Sequence, residues 1–212
     1  MHLPDDEIAR NLGEVRERIG AAARRAGREP GEITLIAVSK TFGADRVRAA
    51  IDAGQRDFGE NKVRKAAQPF ACIHSIDSID LLQRVDAEAA EGGATPDILV
   101  QVDLAGESTK FGAPIAEARR IVDAALACRA ARLAGLMLLP PWNDDQEQTR
   151  PWFARLRELR EQWISEGVPR DALAQLSMGM SHDFEAAIEE GTTIVRIGTA
   201  IFGGRPPMAG GT

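Results

Sequence analysis

Three short stretches of this sequence hold residue types that can do chemistry together. Lys40 closes the run ITLIAVSK at 33–40, in which most residues before the lysine are apolar or small. A lysine delivered by such a strand is partly desolvated, which favours the neutral amine, the form that attacks an aldehyde or ketone. A strand-end lysine can equally snorkel into solvent, so its position alone leaves both roles open. The second stretch is SMGMS at 177–181 and the third is RIGT at 196–199. Glycines there let backbone approach a ligand, and hydroxyls beside free N–H groups suit phosphate oxygens. Ser177, Gly198 and Thr199 are the expected phosphate residues, whereas Ser181, with Asp183 two residues on, also suits a helix N-cap. Arg196 lies inside the apolar run TIVRIG, so its guanidinium needs a buried partner, most commonly a carboxylate, or must line a cavity. An amine for an aldehyde, a phosphate site and an arginine between them together describe pyridoxal 5'-phosphate (PLP) better than any one of them alone.

Other reactive residue types have plainer readings. Ser181, His182 and Asp183 are consecutive, which a catalytic triad does not need, and a helix start is the expectation. His74 follows an apolar run and is read as structural unless it lines the pocket. With His2 near the N-terminus, no histidine cluster has metal-ligand spacing. Cys72 and Cys128 fit no C-x-x-C pattern and are expected to be buried and reduced. Met178 and Met180 suit packing as well as cofactor contact, and Met178 is carried forward as a contact. Trp142, Trp152 and Trp163 read as packing residues or a lid edge, and the Arg/Glu alternation over 154–170 as a solvated helix face.

Positioning elements follow from hydrophobic patterning. Ile8, Leu12, Val15 and Ile19 recur at helical spacing over 5–26, with Gly27 as a stop. Strands are expected at 33–40, 57–61, 71–77, 97–104, 133–140, 175–180 and 193–202. Helices are expected at 44–53, 79–91, 114–130, 145–166 and 182–190. Strands alternating with helices imply βαβ units and a parallel sheet. Polar or small residues at the strand ends (Ser39 and Lys40, Glu60 and Asn61, His74 and Ser75, Ser177 and Ser181) favour a barrel over an open doubly wound sheet. The 212 residues contain no linker-like tract and suit one domain over 1–212. A net charge of −6 argues against a nucleic-acid surface, and no run approaches a membrane span. The acidic N-terminus lacks a signal-peptide core, so a cytoplasmic location is expected.

The chain resembles the YggS/PROSC family of pyridoxal phosphate homeostasis proteins, relatives of the alanine racemase N-terminal barrel. The resemblance rests on AVSK at 37–40, AGQRDFGEN at 53–61, IHSID at 73–77, KFG at 110–112 and GLM at 135–137. It extends through SMGMSHDFEAAIEEG at 177–191 and VRIGTAIFG at 195–203. It implies a single (β/α)8 TIM-type barrel with PLP as cofactor, held as a Schiff base on Lys40. It further implies cofactor contacts at Asn61, Ser177, Met178, Arg196, Gly198 and Thr199, with Arg196 facing the pyridine nitrogen. Because arginine stays protonated, that nitrogen then acts only as an acceptor and the cofactor is a poorer electron sink.

One departure stands out. The family has a further strand where only ten residues separate Asn61 from Cys72. That is too short for a strand and two crossovers, which need roughly a dozen residues each. A missing segment at the Asn61–Lys62 junction is therefore expected. The functional expectation is a PLP carrier acting in intracellular PLP homeostasis, without metal or catalytic residues. Its implied partners are PLP-dependent apoenzymes and free amino acids, not nucleic acid or membrane. A racemase-like enzyme is the alternative, but the sequence contains no tyrosine to serve as the second base of an alanine racemase-type site. A PLP-free aldolase using Lys40 lacks a convincing acid/base partner.

Overall fold

Ile8, Leu12, Val15, Ile19, Ala22 and Ala23 all become buried, on one face of helix α1 (Asp5–Arg25). That face covers strand β1 (Thr34–Val38), helix α2 (Ala44–Asp52) and the C-terminal elements through Phe184, Ile188, Val195, Ile197, Ile201 and Phe202. Full burial of each large apolar side chain contributes about 1.5–3 kcal/mol, so the α1 face is a major part of this half of the core. The computed structural model describes residues 5–60, 70–106 and 112–204.

Beyond α2 come β2 (Phe58–Gly59), β3 (Cys72–Ile76), α3 (Ile79–Gly92), β4 (Asp97–Asp103), the two-residue β5 (Ala113–Pro114) and α4 (Ile115–Ala125). Then follow β6 (Arg132–Leu138), α5 (Arg150–Ser165), β7 (Gln175–Met180), α6 (Phe184–Glu189), β8 (Ile194–Ile197) and α7 (Thr199–Phe202). The seven principal strands run in the order β2-β1-β8-β7-β6-β4-β3, with β5 attached to β4, and every pairing is parallel. In β4 and β6 the central residues are buried on both faces, as in a sheet with helices outside and a packed interior. This is the α/β architecture of a TIM-type barrel with its wall open. Among the described residues β2 and β3 are the two ends of the sheet and do not pair. The Asn61–Lys62 junction lies outside the described residues.

The helix-facing core joins α3, α4 and α5 to the sheet through Leu82, Ile121, Phe153, Leu156, Trp163 and their neighbours. A smaller interior cluster of Leu99, Ala134, Met137 and Ile194 fills the inside of the sheet, with Ile36, Cys72 and Leu139 against it. The Arg-rich helix face is partly solvated and partly used. Arg150 pairs with Glu147, Glu189 and Glu190, Arg25 with Glu189, and Arg157 with Glu190, which ties α1, α5 and α6 together.

Two boundaries differ from the expectation. Helix 145–166 divides into a 3-10 turn at Gln146–Gln148 and α5, because Pro151 can occupy only the first turn of a helix. The expected strand at 193–202 ends at Ile197, and the chain turns at Gly198 into the one-turn α7.

Gly135 shows how closely β6 and β7 approach. A Cβ there would lie 1.9 Å from the Gln175 carbonyl oxygen, whereas nothing lies within 4 Å of one at Gly31. Gly135→Ala is expected to lower the unfolding free energy by about 1–3 kcal/mol. Gly31→Ala should leave it unchanged within about 0.5 kcal/mol, both measured by urea denaturation.

Candidate functional site at the strand ends

Lys40 is half-buried one residue past Ser39, at the C-terminal end of β1. Its placement is fixed from both sides. The Ser39 N–H donates to the Gly59 carbonyl at 3.1 Å, and the Ser39 hydroxyl donates to Glu60 Oε1 at 2.7 Å. The Phe42 N–H then donates to the Ser39 carbonyl at 3.1 Å, closing a tight turn whose central residues are Lys40 and Thr41. Thr41 has φ 73°, a left-handed conformation that costs a β-branched residue about 1–3 kcal/mol. The lysine thus leaves the strand from a strained, closed turn.

β8 lies beside β1, with Ala37 opposite Ile197, so Gly198 and Thr199 emerge at the same end as Lys40. There the Ser181 hydroxyl oxygen accepts from the Gly198 N–H at 3.3 Å and the Ala200 N–H at 3.2 Å. Ser181 is therefore not a helix cap. Asp183 is the N-cap of α6, and it accepts instead from the Met180 N–H at 2.7 Å. Burial raises the Asp183 carboxyl above its ordinary value, partly opposed by the Met180 N–H and the charges of His182 and Arg196. Gly179 allows this approach at φ 93°, where a Cβ would lie 2.7 Å from that of Ala187.

A polar layer sits on the inner face of the sheet, next to the apolar interior cluster. Arg196 Nη1 donates to Ser177 Oγ at 2.6 Å and Nη2 to the Leu138 carbonyl at 3.0 Å. His74 Nδ1 lies 2.9 Å from the same Ser177 oxygen. Ser177 is fully buried, while Arg196 and His74 keep partial exposure, so these two face a space that solvent enters. No carboxylate among the described residues forms an ion pair with Arg196, contrary to the commoner expectation for a mid-strand arginine. Burial pushes the Arg196 guanidinium down to about 10, with Asp183 as the opposing charge. Burial, and then the Arg196 charge, pushes His74 down to about 4.

The structure thus gathers Lys40, Gly198 and Thr199 at one end of the sheet, with Arg196 and Ser177 facing inward. Ser177 does not join Gly198, since its hydroxyl is engaged by Arg196 and His74 part-way along β7. The Met178 side chain points elsewhere. Strand residues alternate between faces, and Met178 is fully buried in the helix-facing core while Ser177 points the other way. Asn61 lies outside the described residues. Sequence reasoning assigned His74 and Ser181 to structural roles, and each proves to touch the site. The free cysteines, Cys72 and Cys128, are half-buried rather than buried, and burial pushes their thiols up to about 12 and about 11. Among the described residues no group of acidic, histidine and cysteine side chains could hold a metal, and no helix is long and apolar enough to cross a membrane.

A family profile described as the alanine racemase N-terminal domain matches residues 20–206. The chain belongs to this family. Within it, the chain is 36% identical to the pyridoxal phosphate homeostasis protein of Escherichia coli strain K12, covering 94% of this chain and 97% of that one. It is 35% identical to the protein of the same name from Aquifex aeolicus, covering 92% and 96%. Among solved structures it is similar to PipY of Synechococcus elongatus with PLP bound. That match has a TM-score of 0.79 and 31% identity over 92% of this chain and all of PipY. The E. coli alignment runs over 231 positions yet takes in 94% of 212 residues, about 199, so this family member has gaps at about 30 of them.

His74 gives the site a signature in stability. With its native value near 4 and an unfolded value of 6.5, the unfolded chain holds the proton between those pH values and the native protein does not. Stability should therefore fall as pH drops from 6.5 towards 4, by at most about 3 kcal/mol. Thermal unfolding of His74→Asn should lose this slope relative to the parent. The raised Asp183 carboxyl acts with the opposite sign and is common to both proteins, so the difference isolates His74.

Proposed function

We propose that this chain binds PLP and acts in PLP homeostasis, holding the cofactor covalently at Lys40. The observation that carries the reading is Arg196, a half-buried cation whose hydrogen-bond acceptors are neutral, facing inward below an amine-bearing strand end. The donor chemistry fits the cofactor at each of its ends. Lys40 supplies the amine. The Ser181 hydroxyl, with the N–H groups of Gly198, Thr199 and Ala200 beside it, suits the phosphate. The phosphate role expected of Ser177 passes to Ser181, because Ser181 lies beside Gly198 and Ala200 with its hydroxyl hydrogen still to donate, whereas Ser177 faces Arg196 and His74 part-way along β7. Lys40 would hold the cofactor through its amine, for which PLP would supply an aldehyde able to form a Schiff base with loss of water. The PLP-bound PipY structure and the homeostasis proteins of E. coli and A. aeolicus support the reading.

The residues also argue for carriage over turnover. Arg196 would hold the pyridine nitrogen of PLP, as the resemblance implies, and its fixed positive charge would make that nitrogen a hydrogen-bond acceptor rather than a protonated group. The sequence has no tyrosine to act as a second base. Apoenzymes that accept PLP, and free amino acids that displace it from Lys40, are the partners this role calls for, in the cytoplasm.

Borohydride reduction of PLP-loaded protein tests the assignment. The parent should give a stably reduced chromophore on Lys40, and Lys40→Ala should lose it while keeping weak binding through the phosphate contacts. Arg196→Glu should shift the absorption maximum. Racemisation of alanine at the roughly 1–10³ s⁻¹ of ordinary enzymes would overturn the carrier reading.

A further inference from the structure

The guanidinium of Arg196 has a built support that the cofactor reading does not by itself require. Arg196 Nη1 gives a hydrogen to Ser177 Oγ at 2.6 Å, so that oxygen is already an acceptor. Ser177 still has one hydrogen to donate, and His74 Nδ1, 2.9 Å away, is the ring nitrogen in reach. Ser177 Oγ has a second lone pair, but His74 Nδ1 is the one acceptor for its hydrogen among the described contacts, so the donors run from Arg196 through Ser177 to His74 when Nδ1 is unprotonated and the ring hydrogen is on Nε2. A protonated imidazole would have no lone pair for the serine and would place a second positive charge beside the first. The low affinity of His74 for a proton, set by burial and by the Arg196 charge, agrees with this direction. Leu138 fixes the other side of the guanidinium, through its carbonyl at 3.0 Å from Nη2. Three strands thus converge on one planar group: β3 through His74, β7 through Ser177 and β6 through Leu138.

We propose that His74 and Ser177 are positioning residues, a two-step relay that fixes the plane of the Arg196 guanidinium and so the edge it presents to the ligand. The relay's consequence for PLP rests on the cofactor reading above, whereas its existence does not. The Asp183 carboxylate acts on Arg196 as an opposing charge, but it accepts from the Met180 N–H and forms no ion pair with the guanidinium among the described residues. Without the relay the guanidinium keeps only the Leu138 carbonyl and gains a free rotation.

The test uses the full chain without ligand and then with PLP. In the ligand-free parent, nitrogen NMR should find His74 as the neutral Nε2–H tautomer, with the two Arg196 Nη groups resolved because rotation is slow. Ser177→Ala and His74→Leu should average those Nη signals. His74→Asn, whose side-chain oxygen can replace the Nδ1 acceptor, should keep them resolved. With PLP, Ser177→Ala and His74→Leu should bind roughly 10-fold more weakly, the scale of one hydrogen bond to a charged group. Their reduced-adduct yield at saturation should be unchanged, their absorption maximum should move, and His74→Asn should stay near the parent. Far-ultraviolet circular dichroism and thermal unfolding confirm that each variant is folded. An Nδ1–H tautomer in the parent, or Nη signals equally resolved in Ser177→Ala and His74→Leu, overturns the relay. So does parental affinity and spectrum in those two variants. A parent that binds no PLP at all sinks the cofactor reading instead, and the ligand-free NMR still decides the relay.

Discussion

A positive charge inside a protein, held by neutral atoms alone, is the constraint around which this molecule is arranged. Arg196 is met by a serine hydroxyl and a backbone carbonyl, with no carboxylate ion pair among the described residues. Partnering with an anion is the usual way to lower the cost of a buried cation, and that solution is not used here. The remaining stabilisation must come from fixed dipoles and from whatever occupies the space the guanidinium faces. An electron-rich ring nitrogen on a molecule that also carries phosphate is well matched to that field, since its charge is not cancelled in advance by the protein. Burial first, and then the same charge, disfavours a proton on His74.

Geometry around that charge depends on strand adjacency more than on local loops. β8 carries Arg196, pairs with β1 on one side and β7 on the other, and so sets the amine of Lys40 and the hydroxyls of Ser177 and Ser181 around a single strand. The closed turn at Ser39–Phe42 and the left-handed Thr41 then restrict where the lysine can reach. Strain at such a point is maintained by the structure on either side of it, here the Ser39–Glu60 bond and the Phe42–Phe202 ring contact at 5.1 Å.

Much of this was legible in the sequence, and the failures have physical causes. Alternating apolar runs and amphipathic stretches gave the order of strands and helices. Polar residues at the strand ends pointed to the face that carries Lys40, Gly198 and Thr199. The end of β8 was misjudged because Ala200, Ile201 and Phe202 prolong the apolar run. What turns the chain is a glycine whose N–H, like that of Ala200, is taken by a serine far back in the sequence. Ser177 and Met178, neighbours on a strand, face opposite sides of the sheet, as the period-2 rule anticipates. The His74–Ser177 contact spans 103 residues, and nothing in local spacing announces it.

The pairing of β1 with β8 has a further consequence, for the order in which the molecule is made. Among the described residues β1 is joined to the remainder of the sheet through β8, and that pairing links residues 34–37 with 194–197. A nascent chain emerging from the ribosome therefore holds Lys40 early but cannot form the β1–β8 pairing until residues 194–197 have been synthesised. Contacts of such long sequence separation form slowly, and an edge strand waiting for its neighbour is open to wrong partners. The apolar face of α1, which follows β1 into the same late assembly, is the surface most in need of shielding during that interval.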